Sequence, residues 1–319
     1  MNHILFEAKL YRLKVLTNLH VGNGEADYSV IDKQVQRDVV TRYPQINASS
    51  LKGALREYMT FVGFKKSEGI DSTRVLNAIV FGSDPTESDR EKKAKQGYVN
   101  FHDVKLLSLP IRTNHKPFMR ATSKEVLYEY VEHCKKFGLD TSIDKETIRT
   151  LTTEKENGSI IAEDWKYGIS SCTQEILESM IGEDVLLLED EDFRTLAKEL
   201  PFVARNYLEN GKSENLWYEE IVPRESLFYF VIEKPVDDLL AYKVSQDNNP
   251  LLSTDAQKQS QKDILVREKF DTFDEKLDKA QLYIGANTTV GYGLCDISFI
   301  STNISTATNQ GASDEQKAD

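Results

Sequence analysis

The stretch LKGALREYMTFV, residues 51–62, has the clearest periodic pattern in the chain. Ser49 or Ser50 can cap the start of a helix here, and Gly63 can end it. The pattern therefore predicts an amphipathic helix over 51–63. Its apolar residues recur at the three- and four-residue spacing of one buried helix face, at Leu51, Ala54, Leu55, Tyr58, Met59 and Val62.

Strands and further helical patterns surround this segment. Residues 8–16 alternate between apolar and polar side chains, which predicts a half-buried strand. After the helix come a helix-like stretch over 71–81, a polar loop over 83–96 and a short strand over 97–107. A helix over about 263–282 leads through a glycine-rich loop into a final strand. This order predicts an α+β fold, most economically a ferredoxin-like core, which is also the fold of the RNA-recognition module (RRM).

The middle of the chain has a different pattern. Residues 110–205 are charged and mostly helical, so we expect a largely helical insertion within one domain spanning 1–300. In that insertion the acidic run Glu189–Asp192 is expected to form a solvated turn after a short strand. Residues 215–233 predict a β-hairpin. The tail 301–319 has almost no large hydrophobic residues and is expected to be disordered.

Composition limits the class of protein. The 319 residues include 52 acidic and 40 basic side chains, a net charge of −12. This balance argues against a free-standing nucleic-acid binder, although a local basic surface can coexist with an acidic total. Cys134, Cys172 and Cys295 have no paired spacing, so neither a disulfide framework nor a zinc site is expected. No apolar run approaches the ~18 residues of a membrane span, so we expect a cytoplasmic protein with no membrane partner.

The glycine-rich loop lies within YIGANTTVGYGL, residues 283–294. Gly285, Gly291 and Gly293 can take positive φ values and let successive N–H groups form a concave anion-binding nest. The common nucleotide-binding loops do not fit, because a dinucleotide fingerprint opens a helix and a Walker loop ends in Gly-Lys-Ser/Thr. By itself this loop is better explained as a tight turn from a helix into a strand.

A second candidate anion site is the start of the helix at 51–63. Lys52 and Arg56 are four residues apart, so they project from the same face of its first two turns. Unpaired N–H groups at a helix start favour an anion, and Ser49 and Ser50 add hydroxyl groups. A nucleic-acid phosphate would fit there. This segment alone favours the ordinary alternative, a capped helix with solvated basic residues.

Four side chains are candidates for acid–base chemistry. Asp32 stands where an apolar segment becomes polar, shortly after a glycine turn that carries His20. Glu219 and Glu220 are adjacent on a predicted strand, so they point to opposite faces and at most one can face a given site. The ordinary alternatives are a turn former for Asp32 and a hydrogen-bonded residue at a strand end for His20.

Five ordered motifs connect these candidates. They are LHVGNG (19–24), VIDKQVQR (30–37), PQINASSLKG (44–53), LWYEE (216–220) and IGANTTVGYGL (284–294). Together they resemble the RAMP superfamily of CRISPR proteins. The match is to the backbone subunits of the type III-B (Cmr) CRISPR RNA-guided effector complex, fourth in the Cmr series. Two positions depart from that family, Ala286 where a second glycine is usual and Tyr292 where a basic residue is frequent.

The resemblance implies an RRM-like palm with inserted segments. Such a subunit multimerises along a guide (CRISPR) RNA and contacts copies of itself and other subunits of the Cmr effector complex. Lys9, Arg12 and Lys14 on the first strand would add to its basic surface. In that family the helix start and the glycine loop contact the guide backbone. The resemblance therefore assigns RNA binding to Ser49, Ser50, Lys52, Arg56, Gly285, Asn287, Thr288, Gly291 and Gly293.

The resemblance also implies an endoribonuclease of antiviral defence. Asp32 matches the position that cleaves single-stranded target RNA paired to the guide, at regular intervals and with a divalent metal, Mg²⁺ or Mn²⁺, whose ligands are unknown. The positions of His20, Glu219 and Glu220 lie near that site. One alternative is a non-catalytic RNA-binding scaffold in which Asp32 is only a turn residue. The other is an unrelated metabolic enzyme that binds a nucleotide at the glycine loop, against which the missing Gly-Lys-Thr argues.

Overall fold

A computed structural model gives the fold of the chain. It describes residues 5–24, 31–65, 70–82, 96–246 and 259–302. Most of the polar loop expected over 83–96 lies outside these residues, as does the tail from 303 onward. Residues 301 and 302 belong to the last strand, so the expectation of disorder was wrong for these two.

One nine-stranded sheet is the centre of the described fold. Its strands are β1 Phe6–Val15, β2 Gln45–Ile46, β3 Asn100–Phe101, β4 Val104–Ile111, β5 Met119–Ser123, β8 Val185–Leu188, β11 Leu227–Pro235, β12 Gln281–Tyr283 and β13 Leu294–Thr302. Seven of them follow one another in the order β12–β13–β1–β11–β4–β5–β8, while the short β2 pairs with β4 and the short β3 pairs with β11. Neighbouring strands are antiparallel except β5 and β8, which are parallel.

The helices connect and cover these strands. None of the described helices is both long enough and apolar enough to cross a bilayer. The helices are α1 Ala48–Lys65, α2 Ile70–Val80, α3 Lys124–Lys136, α4 Lys145–Thr150, α5 Ser171–Ile181, α6 Asp190–Lys198, α7 Asp237–Gln246 and α8 Gln259–Leu277.

The connectivity of the central strands confirms the predicted fold class. Along the chain the elements run β1–α1–β4–β11–α8–β13, and in the sheet their strands lie side by side as β13–β1–β11–β4. This is the β-α-β-β-α-β arrangement of a ferredoxin-like core. The strands β1 and β11 lie in the middle of this core, and their buried side chains include the stacked rings of Tyr11 and Phe230.

Helix α1 buries the predicted face but begins earlier than expected. Leu51, Leu55 and Met59 are buried, as the periodicity indicated. The carbonyl oxygen of Asn47 accepts the first helical hydrogen bonds, so the helix starts at Ala48. Ser49 and Ser50 therefore lie inside the first turn, and the prediction that one of them caps the helix was wrong.

Residues 110–205, all of them described, contain more strand than the pattern indicated. They include the helices α3 to α6, but β5 and β8 within them extend the main sheet. A separate two-stranded sheet is formed by β6 (Glu154–Ala162) and β7 (Trp165–Gly168). The segment is thus partly continuous with the central sheet.

The acidic run after β8 is not a solvated turn. Asp190, Glu191 and Asp192 form the first turn of α6, where the positive end of the helix dipole favours carboxylates. Asp192 is buried and accepts a hydrogen bond of 2.5 Å from the hydroxyl of Tyr167. The prediction failed because acidic clusters suit helix N-termini as well as turns.

The predicted hairpin over 215–233 was also wrong. Strand β10 (Lys212–Glu220) pairs with β9 (Phe202–Glu209) in a two-stranded sheet of its own. Residues 227–232 are apolar at every position, so they suit a strand covered on both faces, and β11 enters the middle of the main sheet. The β9–β10 hairpin is mostly exposed.

Candidate functional site

Asp32 lies in an irregular segment, residues 31–38, that runs beside the end of β10. Its side chain is exposed, and its Oδ2 accepts a hydrogen bond of 2.8 Å from the backbone N–H of Tyr218. The next residue, Lys33, donates its backbone N–H to Tyr218 O (3.1 Å) and accepts from Glu220 N (2.9 Å). The carboxylate is therefore fixed by the backbone of β10 while it faces solvent.

Glu219 has the opposite environment, because the residue is only 1% exposed. Its Oε1 accepts from Lys33 Nζ (3.0 Å) and Trp217 Nε1 (3.1 Å). Its Oε2 accepts from Asn287 Nδ2 (3.0 Å) and from Nε of Arg205. Burial alone raises the pKa of a carboxyl group, but these hydrogen bonds and the charge of Arg205 outweigh it and lower the pKa of Glu219 to about 2.

Glu220 turns to different partners. It is 4% exposed, and its Oε2 accepts from the backbone N–H of Val35 at 2.9 Å. Its Oε1 pairs with Arg37, which also donates to the carbonyl oxygen of Ala197 (2.8 Å) near the end of α6. The two adjacent glutamates thus hold the 31–38 segment at separate points.

His20 is buried behind this segment, with 4% exposure. Its Nδ1 lies 2.7 Å from the carbonyl oxygen of Glu220. Because a carbonyl oxygen can only accept, Nδ1 is the donor in this contact. A Cβ on Gly22 would stand 3.2 Å from Nε2, so a glycine there leaves room for the ring. His20 is placed to orient neighbouring backbone rather than to meet solvent.

The glycine-rich loop joins two strands. Residues 281–283 form β12, which pairs with β13, so residues 284–293 close a β-hairpin and not the expected helix-to-strand turn. A short 3₁₀ turn, Thr288–Val290, lies at its tip, and Asn287 before it has a φ of 65°. A three-residue strand after a long helix gave too short a pattern to recognise from sequence.

The glycines of this loop serve two different needs. A Cβ on Gly285 would clash with the backbone oxygen of His20, and one on Gly293 would clash with that of Ile284. These two glycines therefore permit close backbone packing. Gly291 also has a positive φ, of 87°, but a Cβ there would meet nothing within 4 Å. Only the tip of the loop is open to a ligand.

One departure from the family pattern has a structural counterpart. The guanidinium of Arg205, on β9, lies 4.8 Å from the ring centroid of Tyr292. A cation thus stands beside the position where a basic residue is frequent in the family. Thr288 and Gly291 are exposed on the same loop.

The start of α1 borders an open cavity of about 340 Å³. Ser49 and Lys52 line it, and the Lys52 ammonium lies 5.9 Å from the ring centroid of Phe101. Burial and the charge of Arg56 lower the pKa of Lys52. Gln96 and Asn100 complete its polar lining.

The other two candidates on α1 are engaged within the chain. Arg56 donates to the carbonyl oxygens of Phe81 (3.0 Å) and Gly82 (3.1 Å). Ser50 Oγ accepts from Gln36 Nε2 at 3.2 Å. Of the basic pair predicted on this helix, Lys52 is therefore better placed for a phosphate.

Comparison with known proteins decides the family. The model of the RAMP superfamily matches residues 12–296. The chain belongs to the RAMP superfamily. It is 28% identical to the CRISPR system Cmr endoribonuclease Cmr4 of Pyrococcus furiosus, over 96% of this chain and 98% of that protein. It is also 27% identical to the CRISPR system Cms endoribonuclease Csm3 of Streptococcus thermophilus, over 49% of this chain and 72% of that protein.

Solved structures share the fold. The subunit matched in a type III-B Cmr-beta complex bound to cognate target RNA has a TM-score of 0.65 at 22% identity, with 92% of this chain and 96% of that chain covered. Oligomeric Cmr4 of Pyrococcus furiosus gives a TM-score of 0.58 at 21% identity, with 92% and 98% covered. These matches support the RAMP fold of the chain along nearly its whole length.

The first strand of this RAMP protein contributes less free charge than expected. Lys9 pairs with Asp274 (2.6 Å) and Lys14 with Glu225 (2.9 Å). The expected basic stripe along β1 is thus largely neutralised, because neighbouring elements bring carboxylates that the sequence pattern does not show.

The described residues do not form a metal site by themselves. No group of three or more His, Cys, Asp or Glu side chains comes together in the part of the chain that the structure describes. Glu219 and Glu220, the acids nearest to Asp32 in the network, are occupied by hydrogen-bond donors. The described residues therefore do not by themselves supply three such side-chain ligands around Asp32.

Sequence reasoning missed the basic partners in this site. Lys33, Arg37 and Trp217 were quoted in motifs without a role of their own, and Arg205 was not singled out at all. In the β9–β10 register Arg205 stands opposite Trp217, two residues before Glu219. Had β10 been paired with β9 from the sequence, the positive charge of Arg205 beside the carboxylate of Glu219 would have been recognised.

Proposed function

We propose that this chain is a backbone subunit of a type III-B CRISPR effector complex that assembles along guide RNA and cleaves complementary target RNA with Asp32. Asp32 is the one exposed side chain of the four acid–base candidates, and a backbone hydrogen bond fixes it. That observation carries the proposal. Family membership and the likeness to an endoribonuclease support it.

The chemistry is attack of a ribose 2′-hydroxyl on the adjacent phosphate. The 2′-oxygen forms a bond to phosphorus, the bond from phosphorus to the 5′-oxygen breaks, and a 2′,3′-cyclic phosphate results. Asp32 accepts the proton of the 2′-hydroxyl, and the leaving 5′-oxygen takes a proton from water. Holding the nucleotide in line is the other requirement of this step.

In this proposal the guide RNA binds two open surfaces, one at the start of α1 and one at the tip of the glycine loop. Lys52 and Ser49 border the cavity at the helix start, where N–H groups and a positive charge suit a phosphate. Thr288 and Gly291 present the exposed tip of the glycine loop. The remaining RNA-binding candidates, Ser50, Arg56, Gly285, Asn287 and Gly293, shape these surfaces through contacts within the chain.

The test is an assembled complex that carries Asp32→Ala and receives labelled RNA complementary to its guide. We expect target binding to be retained and periodic cleavage to fall by about 10²–10⁴-fold, the usual contribution of a positioned proton acceptor. Asp271→Ala, an exposed aspartate on α8, is the matched control and should cut normally.

Undiminished cutting by Asp32→Ala would leave the second candidate function, a non-catalytic RNA-binding scaffold. The burial of His20 and the hydrogen bonds that already engage both glutamates favour this outcome if Asp32 fails. The need for a divalent metal stays a prediction. Complex treated with a chelator should lose cleavage and regain it with Mg²⁺ or Mn²⁺, while cleavage that survives chelation would contradict it.

The nucleotide-binding metabolic enzyme has less support. Its glycine loop would have to lead from a strand into a helix, whereas this loop closes a β-hairpin. Purified protein that carries RNA, seen as a raised ratio of absorbance at 260 nm to that at 280 nm, separates the two RNA-binding functions from this one.

A further inference from the structure

The buried carboxylate of Glu219 joins three segments that are far apart in sequence. Lys33 belongs to the 31–38 segment that carries Asp32, Arg205 and Trp217 belong to the β9–β10 hairpin, and Asn287 belongs to the glycine loop. Each segment is irregular or mostly exposed at this point. The carboxylate of Glu219 thus contacts side chains from all three segments.

We propose that Glu219 is a positioning residue and not an acid or base of the cleavage reaction. Its carboxylate sets the place of Asp32 relative to the glycine loop by holding Lys33, the residue next to Asp32. This inference rests on the proposed function, because it concerns how Asp32 is placed for cleavage.

The hydrogen-bonding capacity of Glu219 supports this role. An ionised carboxylate offers about four acceptor sites on its two oxygens. Oε1 receives Lys33 and Trp217, and Oε2 receives Arg205 and Asn287, so each oxygen has two donors. Accepting a proton from RNA would require one of these donors to leave. The low pKa of the group agrees with this saturation.

The path from Glu219 to Asp32 is short and stiff. Lys33 is held three times at the end of β10: by its ammonium at Glu219, by its N–H at Tyr218 O, and by its carbonyl oxygen at Glu220 N. Asp32 itself accepts the N–H of Tyr218. A shift of Lys33 therefore moves the carboxylate of Asp32 with it.

The experiment measures single-turnover cleavage at saturating target, and target affinity separately, in assembled complexes. Glu219→Gln keeps the shape of the side chain but replaces one acceptor oxygen with an amide NH₂, which cannot accept hydrogen bonds from the donors around it. We expect its cleavage rate to fall by about 100-fold, the effect of a misplacement near 1 Å, with target affinity unchanged. Its pH–rate profile should keep the wild-type shape, because Asp32 still performs the chemistry.

Two further variants sharpen the test. Lys33→Met removes the charge of a half-exposed side chain, so the variant should still fold. Its cleavage rate should fall by about 10-fold, which is less than the ~100-fold expected for a misplacement near 1 Å. The double variant should be no slower than Glu219→Gln alone, because both changes break the same link. Glu163→Gln, which removes one carboxylate of an exposed ion pair with Arg112, is the matched control and should cut normally.

Three results would overturn the proposal. They are cutting by Glu219→Gln as fast as by Glu163→Gln, loss of a limb of its pH–rate profile, and loss of its target affinity in step with its rate. If Glu219→Gln does not assemble, Lys33→Met decides, and a wild-type rate in that variant rejects the link. Normal cutting by Asp32→Ala would instead reject the proposed function itself, whatever the Glu219 variants do.

Discussion

The two central strands and the Asp32 segment are stabilised in different ways. In β1 and β11, buried apolar side chains such as Leu10, Leu13 and Phe230 pack in a continuous antiparallel pair. In the 31–38 segment the backbone is irregular, and its position depends on Lys33 and other single polar contacts to β10.

This contrast has a physical origin. Apolar burial is non-directional and spread over many contacts, so a strand tolerates the loss of one of them. A buried carboxylate has no such reserve, because removing one partner leaves the other uncompensated in a site of low dielectric. The sheet should therefore respond to substitution through stability, and the Asp32 segment through the geometry of its site.

The largest expected effect on stability is in the sheet. Phe230→Ala removes a fully buried ring that stacks on Tyr11 with centroids 5.4 Å apart, and it should lower the free energy of unfolding by about 3–5 kcal/mol. Phe61→Ala, on an exposed position of α1, is the control and should change it by less than ~0.5 kcal/mol. Urea unfolding compares the two, and equal losses would mean that this ring does not stabilise the fold.

A smaller loss of stability is expected from substitutions in the glycine loop. Gly285→Ala adds a Cβ that clashes with the backbone of His20 at a φ of +84°, whereas Gly291→Ala adds one in open space at +87°. Gly291→Ala should lower the free energy of unfolding by about 1–2 kcal/mol because of the left-handed conformation alone, and Gly285→Ala should lower it further. Thermal unfolding of both variants isolates the clash. Equal losses would show that the loop can move away from His20.

The contribution of the Glu219 network to stability should depend on pH. The folded pKa of about 2 lies below the ordinary 4.5, so the ionised carboxylate stabilises the fold above pH 4.5, and this contribution is lost as pH falls toward 2. The gap in unfolding free energy between wild type and Glu219→Gln should therefore narrow from pH 6 to pH 3. A gap that stays constant over this range would contradict the lowered pKa.

The smallest effect separates the two basic residues of α1. Lys52→Ala should reduce the salt slope of guide-RNA binding by about 0.7, the loss of one phosphate contact on a single strand. Arg56→Ala should instead lower thermal stability, because Arg56 holds the carbonyl oxygens of Phe81 and Gly82. Filter binding over a range of salt concentrations measures the slope. A slope change in Arg56→Ala alone would reverse this assignment.

The sequence determined the elements whose pattern is local. The apolar periodicity of α1 and the alternation in β1 follow from side chains three, four or two residues apart, so they were predicted before any tertiary contact was known. The order of elements was enough to predict the ferredoxin-like arrangement, and the ordered motifs placed Asp32, His20, Glu219 and Glu220 as candidates.

Only the tertiary structure decided what surrounds those candidates. The local pattern did not show that β10 pairs with β9 and that the apolar run of β11 pairs instead with β1 in the main sheet. The donors to Glu219 come from positions as far apart as Lys33 and Asn287. No local pattern encodes a contact between residues so distant in sequence, because only the complete fold brings them together.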